Sequence, residues 1–475
     1  MAFACTAASK DIVFLSVTAR RIPPPSPNPE VSHGPGLEAN GRPGRARGGK
    51  FARSPGGRPK RFDLPHASVR PSTAPALSGT SRPVVGTLPV NYHLWEGKIR
   101  MKVICDRAAL VDAVNTAGAI VATRTPTPVL KCLKLTASNA DPAGLVISAT
   151  DLEVGLRIGI TEVDVIEEGE AAIPADKLSQ IARACDDPTL TIETEDHAVH
   201  IRGSGSHFKV FGYDPKEFPP VRDFSDATVD CEINARVLQT LISRTLFAAA
   251  VEHSRYAING VLFERSGSKL RLVATDGRRL AMAVGPAKGT DDRSCIVPTK
   301  ALKLALKLVN DPDATVRMAI DDNQVLFAFG GGDTPGETAV LSSNLVEGAF
   351  PPFDDVVPKE QDKKVTFDAE TLGSAVRRAA LLTNEESKGV RLSFAADKLI
   401  LTSRAPEMGE ATVEVKLDDY QGDPVEIGFN PGFITDALNV IDSGPITIEL
   451  KGPNKPGVLK TGNDFTYVLM PVNLQ

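Results

Sequence analysis

No apolar run in this chain approaches the roughly 20 residues that cross a bilayer. The longest candidates are broken by charges such as Arg244, so a helical membrane span is excluded and a cytoplasmic, membrane-free protein is expected. The six cysteines, Cys5, Cys105, Cys132, Cys185, Cys231 and Cys295, include no CxxC pair or other metal-ligand spacing. A chain of 475 residues does not need disulfide staples, so they are expected to be reduced and mostly buried. Aromatic residues are scarce, with Trp95 the single tryptophan. Also missing are HExxH, GxxxxGK[ST] and GxSxG, as is any His-Cys or paired-carboxylate cluster at ligand spacing. His197 and His200 come nearest to a metal pair, but in an alternating strand pattern they face opposite sides. Gly330-Gly331-Gly332 and Gly203-Ser204-Gly205 fall between strands and read as hairpin turns rather than phosphate cradles. No catalytic residue, metal or cofactor is expected, and a hydrolase with an unfamiliar site is the weakest reading.

The formal charge of -5 conceals a division. Residues 1 to 100 hold 15 Lys and Arg against 5 Asp and Glu, which leaves 39 against 54 in the remainder. From Arg20 to Arg82 the chain is rich in Pro, Gly, Ser and Arg, a composition that cannot bury enough apolar surface to offset its ordering entropy. Residues 1 to 100 are therefore expected to be a disordered basic leader. They read as an over-extended start before Met101, with an organellar transit peptide or a basic arm touching phosphates as alternatives.

What is present is repetition. Asp106 with Leu110, Asn234 with Leu238 and Asp368 with Leu372 share a strand, a helix N-cap and a leucine four residues on, at intervals of 128 and 134 residues. Amphipathic helices should follow at Leu110 to Ala117, Leu238 to Phe247 and Leu372 to Leu382. A second helix should begin in each copy at Pro174, Pro298 and Asn430, with proline in the first turn. Between the two helices lie hairpins with strands ending at Thr150, Thr275 and Thr402. Phe218-Pro219-Pro220 and Phe350-Pro351-Pro352, 132 residues apart, close the first two copies. The fold class is α+β, with three domains at 101–227, 228–362 and 363–475, each of two helices packed on antiparallel sheets.

The middle copy centres on the hairpin Arg255 to Met282, where Val261, Phe263, Leu270, Leu272 and Ala274 alternate with polar neighbours around Ser266-Gly267-Ser268. Its Thr275-Asp276-Gly277 turn, two arginines and Leu280 resemble the edge of a peptide-docking groove. Basic strips recur on the helices: Lys300, Lys303 and Lys307 opposite Leu302, Ala305 and Val309, with partial versions at Lys177 and Arg183, Arg236 and Arg244, and Arg377 and Arg378. On an acidic body such strips suggest weak, sequence-blind phosphate contact. A sequence-specific DNA binder would need a recognition helix reading base edges, and no suitable helix is present.

Six motifs in order closely resemble the bacterial DNA polymerase III beta subunit, the sliding-clamp family. They are Arg255-Tyr-Ala-Ile-Asn-Gly-Val-Leu-Phe-Glu, Val273-Ala-Thr-Asp-Gly-Arg-Arg-Leu, Ile296-Val-Pro-Thr-Lys, Leu345-Val-Glu-Gly-Ala-Phe-Pro, Lys388-Gly-Val-Arg-Leu and Tyr467-Val-Leu-Met-Pro-Val-Asn-Leu. The resemblance covers 101 to 475 and implies a head-to-tail homodimer whose six domains close a ring on double-stranded DNA. It further implies loading by an ATP-consuming clamp loader and docking of replicative and other polymerases and repair proteins through short linear peptides. The family's peptide cleft falls on Ile258, Thr275, Gly277, Arg278, Arg279, Leu280, Pro351, Val356, Val468, Leu469, Met470, Pro471 and Val472. Its DNA contacts fall on Arg124, Arg255, Tyr256 and Lys300, with Lys177, Arg183 and Lys388 as further basic candidates. The chain departs from the family pattern at Asp354, Asp355, Asn473, Gln475, Asp176 and Ala257, so its preferred peptides are expected to differ in charge.

Overall fold

The computed structural model describes residues 100–122, 124–140, 144–195, 198–225, 227–251, 259–289, 291–330, 339–383, 389–441 and 444–474. Residues 1 to 99, where the leader is expected, lie outside them. Contacts divide the chain into two units, Met1–Gly86 and Thr87–Gln475, and every described residue belongs to the second. That unit is α+β and contains the threefold repeat.

Each copy contributes two helices: α1 Arg107–Gly118 and α2 Ala175–Ala184, α3 Ala235–Leu246 and α4 Thr299–Leu308, and α5 Ala369–Ala380 and α6 Pro431–Leu438. The first helix of each pair starts for the expected reason. Asp106 accepts from the Ala109 amide, Asn234 from Arg236 and Val237, and Asp368 from Thr371, so a side-chain oxygen satisfies amides that have no partner within the helix. The second helices differ slightly from expectation. Pro174 and Pro298 occupy the N-cap position itself, while in the third copy Asn430 caps and Pro431 takes the first helical position. Proline's pre-set φ serves both arrangements. On α4 the buried face is Ala301, Leu302, Leu304, Ala305 and Leu308, leaving Lys300, Lys303 and Lys307 exposed.

The strands form four antiparallel sheets that do not respect the repeat boundaries. One nine-stranded sheet joins four strands of the first copy to five of the second, through Val154–Ile160 against Ala339–Asn344, with Gly155 opposite Ser342. Another joins four strands of the second copy to five of the third, through Arg279–Pro286 against Phe465–Leu469, with Leu280 opposite Val468. The remaining sheets are a five-stranded one in the first copy, ending on His207–Phe211, and a four-stranded one in the third, ending on Gly409–Lys416.

The central hairpin forms as Gly260–Ser266 and Lys269–Thr275, with Gly267 at φ 56° in its turn. Its alternation is less clean than the sequence suggests. Phe263, Leu270 and Leu272 face the main core, but Leu262 and Val273 on the other face are buried as well, beneath a strap carrying Phe350, Phe353 and Val357. A sheet covered on both faces carries apolar residues at successive positions. Each large side chain so covered contributes about 1.5–3 kcal/mol relative to exposure.

Replacing Asn234 by alanine removes the cap of α3 and should lower stability by about 1 kcal/mol in urea unfolding, with Asn234→Asp close to wild type.

Candidate functional site

The turn at the centre of the candidate cleft is built by two side chains and a glycine. The Thr275 hydroxyl donates to the Arg279 carbonyl at 2.7 Å and accepts from the Gly277 amide at 3.1 Å. Asp276 Oδ1 accepts from the Arg278 and Arg279 amides at 2.9 and 3.0 Å. Gly277 has φ 84°, a left-handed conformation that glycine adopts without steric cost. The turn delivers Leu280 to the outer face of the sheet, where it is 3% exposed beside Val468 at 1%. Both belong to one apolar cluster with Leu262, Val273, Ile296 and Phe353.

Leu280 and Val468 are therefore buried under the candidate cleft. Val356 on the strap and Met470 beyond the last strand are exposed, at 43% and 41%, while Pro351 and Pro471 are half-buried and Arg278 is exposed. The Met470 amide donates to the Arg278 carbonyl at 2.9 Å, which ties the tail to the turn. Two expected members point elsewhere. Leu469 follows Val468 in a strand and so faces the main core, in the cluster that includes Tyr467. Val472 donates its amide to the Gly428 carbonyl at 2.8 Å and lies against Gly389, on the third copy's own sheet. Ile258 lies outside the described residues.

Arg279 also turns inward. Its guanidinium donates to Asp276 Oδ2 at 3.0 Å, to Asp436 Oδ2 on α6 at 2.6 Å and to the Phe247 carbonyl after α3 at 2.7 Å. It lies 5.5 Å from the centroid of the Phe247 ring and 4.4 Å from that of Phe433. Burial opposes its charge, but Asp436, the adjoining Tyr467 and Asp276 outweigh that and hold its pKa above the ordinary guanidinium value. Arg279 is a clamp across the junction of the second and third copies, not a charge offered to a ligand.

The first copy builds the same turn. The Thr150 hydroxyl donates to the Val154 carbonyl at 3.0 Å and accepts from the Leu152 amide at 3.0 Å. Asp151 Oδ1 accepts from the Glu153 and Val154 amides at 3.1 and 2.8 Å, and Leu152, at Gly277's position, has φ 77°. Here, however, Gly155 stands where the second copy has Leu280. A Cβ there would meet Ser342 Oγ at 2.6 Å and Val221 Cγ1 at 2.8 Å, so the strap after Pro220 closes directly on the strand. The turn is duplicated and the large apolar pair Leu280 and Val468 is not.

Of the candidate DNA contacts, Arg124 is exposed in the loop after α1. Lys177 pairs with its neighbour Asp176 at 3.3 Å, and Arg183 donates to Asn115 Oδ1 on α1. Lys300 is bound to Asp151 Oδ2 across the first junction. Arg255, Tyr256 and Lys388 lie outside the described residues. Asp151 lies outside the family motifs, although its position after Thr150 mirrors Asp276 after Thr275. The partial strips are partly committed to structure, with Arg244 on Asp464 at 3.4 Å and Arg236 on Asp313 at 3.2 Å. His197 lies outside the described residues. His200 instead pairs with His207 across a hairpin, Nδ1 to Nε2 at 2.9 Å, and burial lowers its pKa. Burial pushes the thiols of Cys105, Cys132 and Cys295 up to about 12, which suits packing rather than nucleophilic chemistry. Among the described residues no three His, Cys, Asp or Glu side chains form a metal-holding group, and no helix is long and apolar enough to cross a membrane.

Three family models match in series: the N-terminal domain of the DNA polymerase III beta subunit at 101–222, its central domain at 232–352 and its C-terminal domain at 354–473. The chain belongs to the DNA polymerase III beta subunit family. Among relatives, the beta sliding clamp of Pseudomonas putida is 33% identical over 373 residues, covering 78% of this chain and 98% of the relative. That of Vibrio cholerae is 32% identical over 380 residues, covering 79% and 100%. A solved sliding clamp from Pseudomonas aeruginosa, bound to griselimycin, superposes with a TM-score of 0.72 at 31% identity, covering 79% of this chain and all of that one. The chain is accordingly a DNA replication protein and a processivity factor rather than an enzyme.

Truncating the junction clamp, Arg279→Ala, leaves Asp436 and Asp276 without their cation and should cost about 3 kcal/mol in denaturant unfolding. Arg279→Lys, which keeps the charge but loses the fork, should fall between.

Proposed function

We propose that two chains close head to tail into a ring of six domains around duplex DNA. The ring, once opened and closed by a loader, holds the replicative polymerase on its template and docks other polymerases and repair proteins through the cleft, in the cytoplasm. One observation carries the reading: strand arithmetic. Each internal junction makes nine strands from the four-stranded half of one copy and the five-stranded half of the next. The first copy's five-stranded sheet and the third copy's four-stranded sheet are the two halves left over, and they complement each other only between chains. Their edges, His207–Phe211 and Gly409–Lys416, correspond in sheet position to the strands that meet at the internal junctions. Unpaired edges expose backbone donors and acceptors that favour another strand. Phe211, Leu381 and Met408, at 69%, 76% and 59% exposure, are the large apolar side chains left uncovered on or beside these elements.

A ring held on DNA by topology needs few phosphate contacts, and those that exist act as drag. The ion pair between Lys300 and Asp151 suits that requirement, since it occupies a cation that would otherwise seek phosphate.

Phe211→Asp combined with Met408→Asp should halve the particle mass of the full-length chain in light scattering and abolish retention on closed circular DNA after loading. An unchanged mass for the double variant would refute the edge pairing. Asp151→Asn keeps an oxygen to accept the turn's amides and releases Lys300. It should tighten duplex binding and steepen the log-affinity against log-salt slope by about 0.9 for each further phosphate neutralised.

A further inference from the structure

Beside the cleft, on the same face of the sheet, lies a groove of about 1110 Å³ between strand 293–298, the turn at 320–323 and the strap at 344–355. Beneath it lies a buried apolar layer. Leu262 and Ile296 are directly opposed across the ladder, and they belong with Phe353 to the buried cluster that also contains Leu280 and Val468. One apolar layer thus runs beneath both groove and cleft, and Pro351 borders the two.

The rim carries one sign of uncommitted charge. Asp322, Glu347 and Asp355 are exposed and have no ion pair among the described residues. Asp354, with its side chain 77% exposed, stands 3.9 Å from Arg271, whose closer partner at 2.6 Å is Glu264. Arg293, the basic residue on the lining, is held by Asp230 at 3.2 Å. A chain lying in this groove meets carboxylates with no cation free to answer them.

We propose that the groove receives the flank of the same peptides whose apolar anchors enter the cleft, and that in this clamp the flank carries lysine or arginine. The inference rests on the cleft reading above. Four strand-to-strand steps separate strand 293–298 from strand 465–469, roughly 19 Å at ~4.8 Å each. An extended peptide covers that distance in about six residues, so the basic residue belongs within about six positions of the anchors. The groove supplies the room and its carboxylates select the sign of the flank.

The test is a selection of dodecapeptides from a random displayed library on the full-length chain, with Leu280→Ala/Met470→Ala as the counter-selected variant. The expected result is a set of binders that depend on Leu280 and Met470 and are enriched in lysine or arginine within six positions of their apolar anchors. Exchanging that basic residue for serine in a selected peptide should weaken binding about fivefold at low salt, the worth of one well-placed exposed ion pair, and by much less at high salt. On Asp322→Asn/Glu347→Gln/Asp355→Asn the selected peptide and its serine form should bind alike. Anchored binders without a basic bias, or a bias that survives Asp322→Asn/Glu347→Gln/Asp355→Asn, would overturn the groove assignment and leave the cleft standing. A library yielding no binder that depends on Leu280 and Met470 would overturn the cleft reading and the groove with it.

Discussion

The antiparallel ladder across each repeat junction is the constraint on which the rest of the molecule depends. A single copy has a four-stranded and a five-stranded half-sheet, each with an edge of unpaired amides and carbonyls. Pairing Gly155 with Ser342 and Leu280 with Val468 removes four such edges and makes continuous nine-stranded sheets. The residues with functional interest gather at these seams because only there do two copies supply complementary groups. Arg279 of the second copy finds Asp436 of the third, and Lys300 of the second finds Asp151 of the first.

The duplication also shows how little separates the proposed docking surface from a closed joint. Both Thr-Asp turns make the same four kinds of hydrogen bond. At the first seam a glycine lets the strap settle on the strand. At the second, Leu280 and Val468 fill that space and pack against Phe353 of the strap. The difference lies in side-chain volume at two facing sheet positions, Gly155 and Ser342 against Leu280 and Val468, not in backbone design.

Features governed by local chemistry were legible in the sequence. Asp106, Asn234 and Asp368 cap their helices as read, because an N-cap is decided within three residues. The buried stripe of α4 and the hairpin around Gly267 follow from periodicity and turn chemistry for the same reason. What escaped depends on partners far along the chain. Asp436 is 157 residues from Arg279, and Asp151 is 149 from Lys300. No spacing rule links either pair, so two arginines read as a surface motif when one of them is an internal clamp. Leu469 was grouped with Val468 by motif although strand geometry sends the two to opposite faces. The strap over Leu262 and Val273 was likewise invisible to an alternation rule that assumes one wet face.

The internal seams and the one proposed between chains share a hydrogen-bonding pattern but differ in their attachment. Strands that part at an internal seam stay tethered by the polypeptide, so they re-pair at an effective concentration in the millimolar range for short flexible connections. The edges His207–Phe211 and Gly409–Lys416 of separate chains have no tether, and their re-pairing falls with dilution. In the proposed ring the same ladder would therefore act as a permanent weld at two places in each chain and as a reversible latch at the third, with covalent connectivity rather than contact chemistry deciding which.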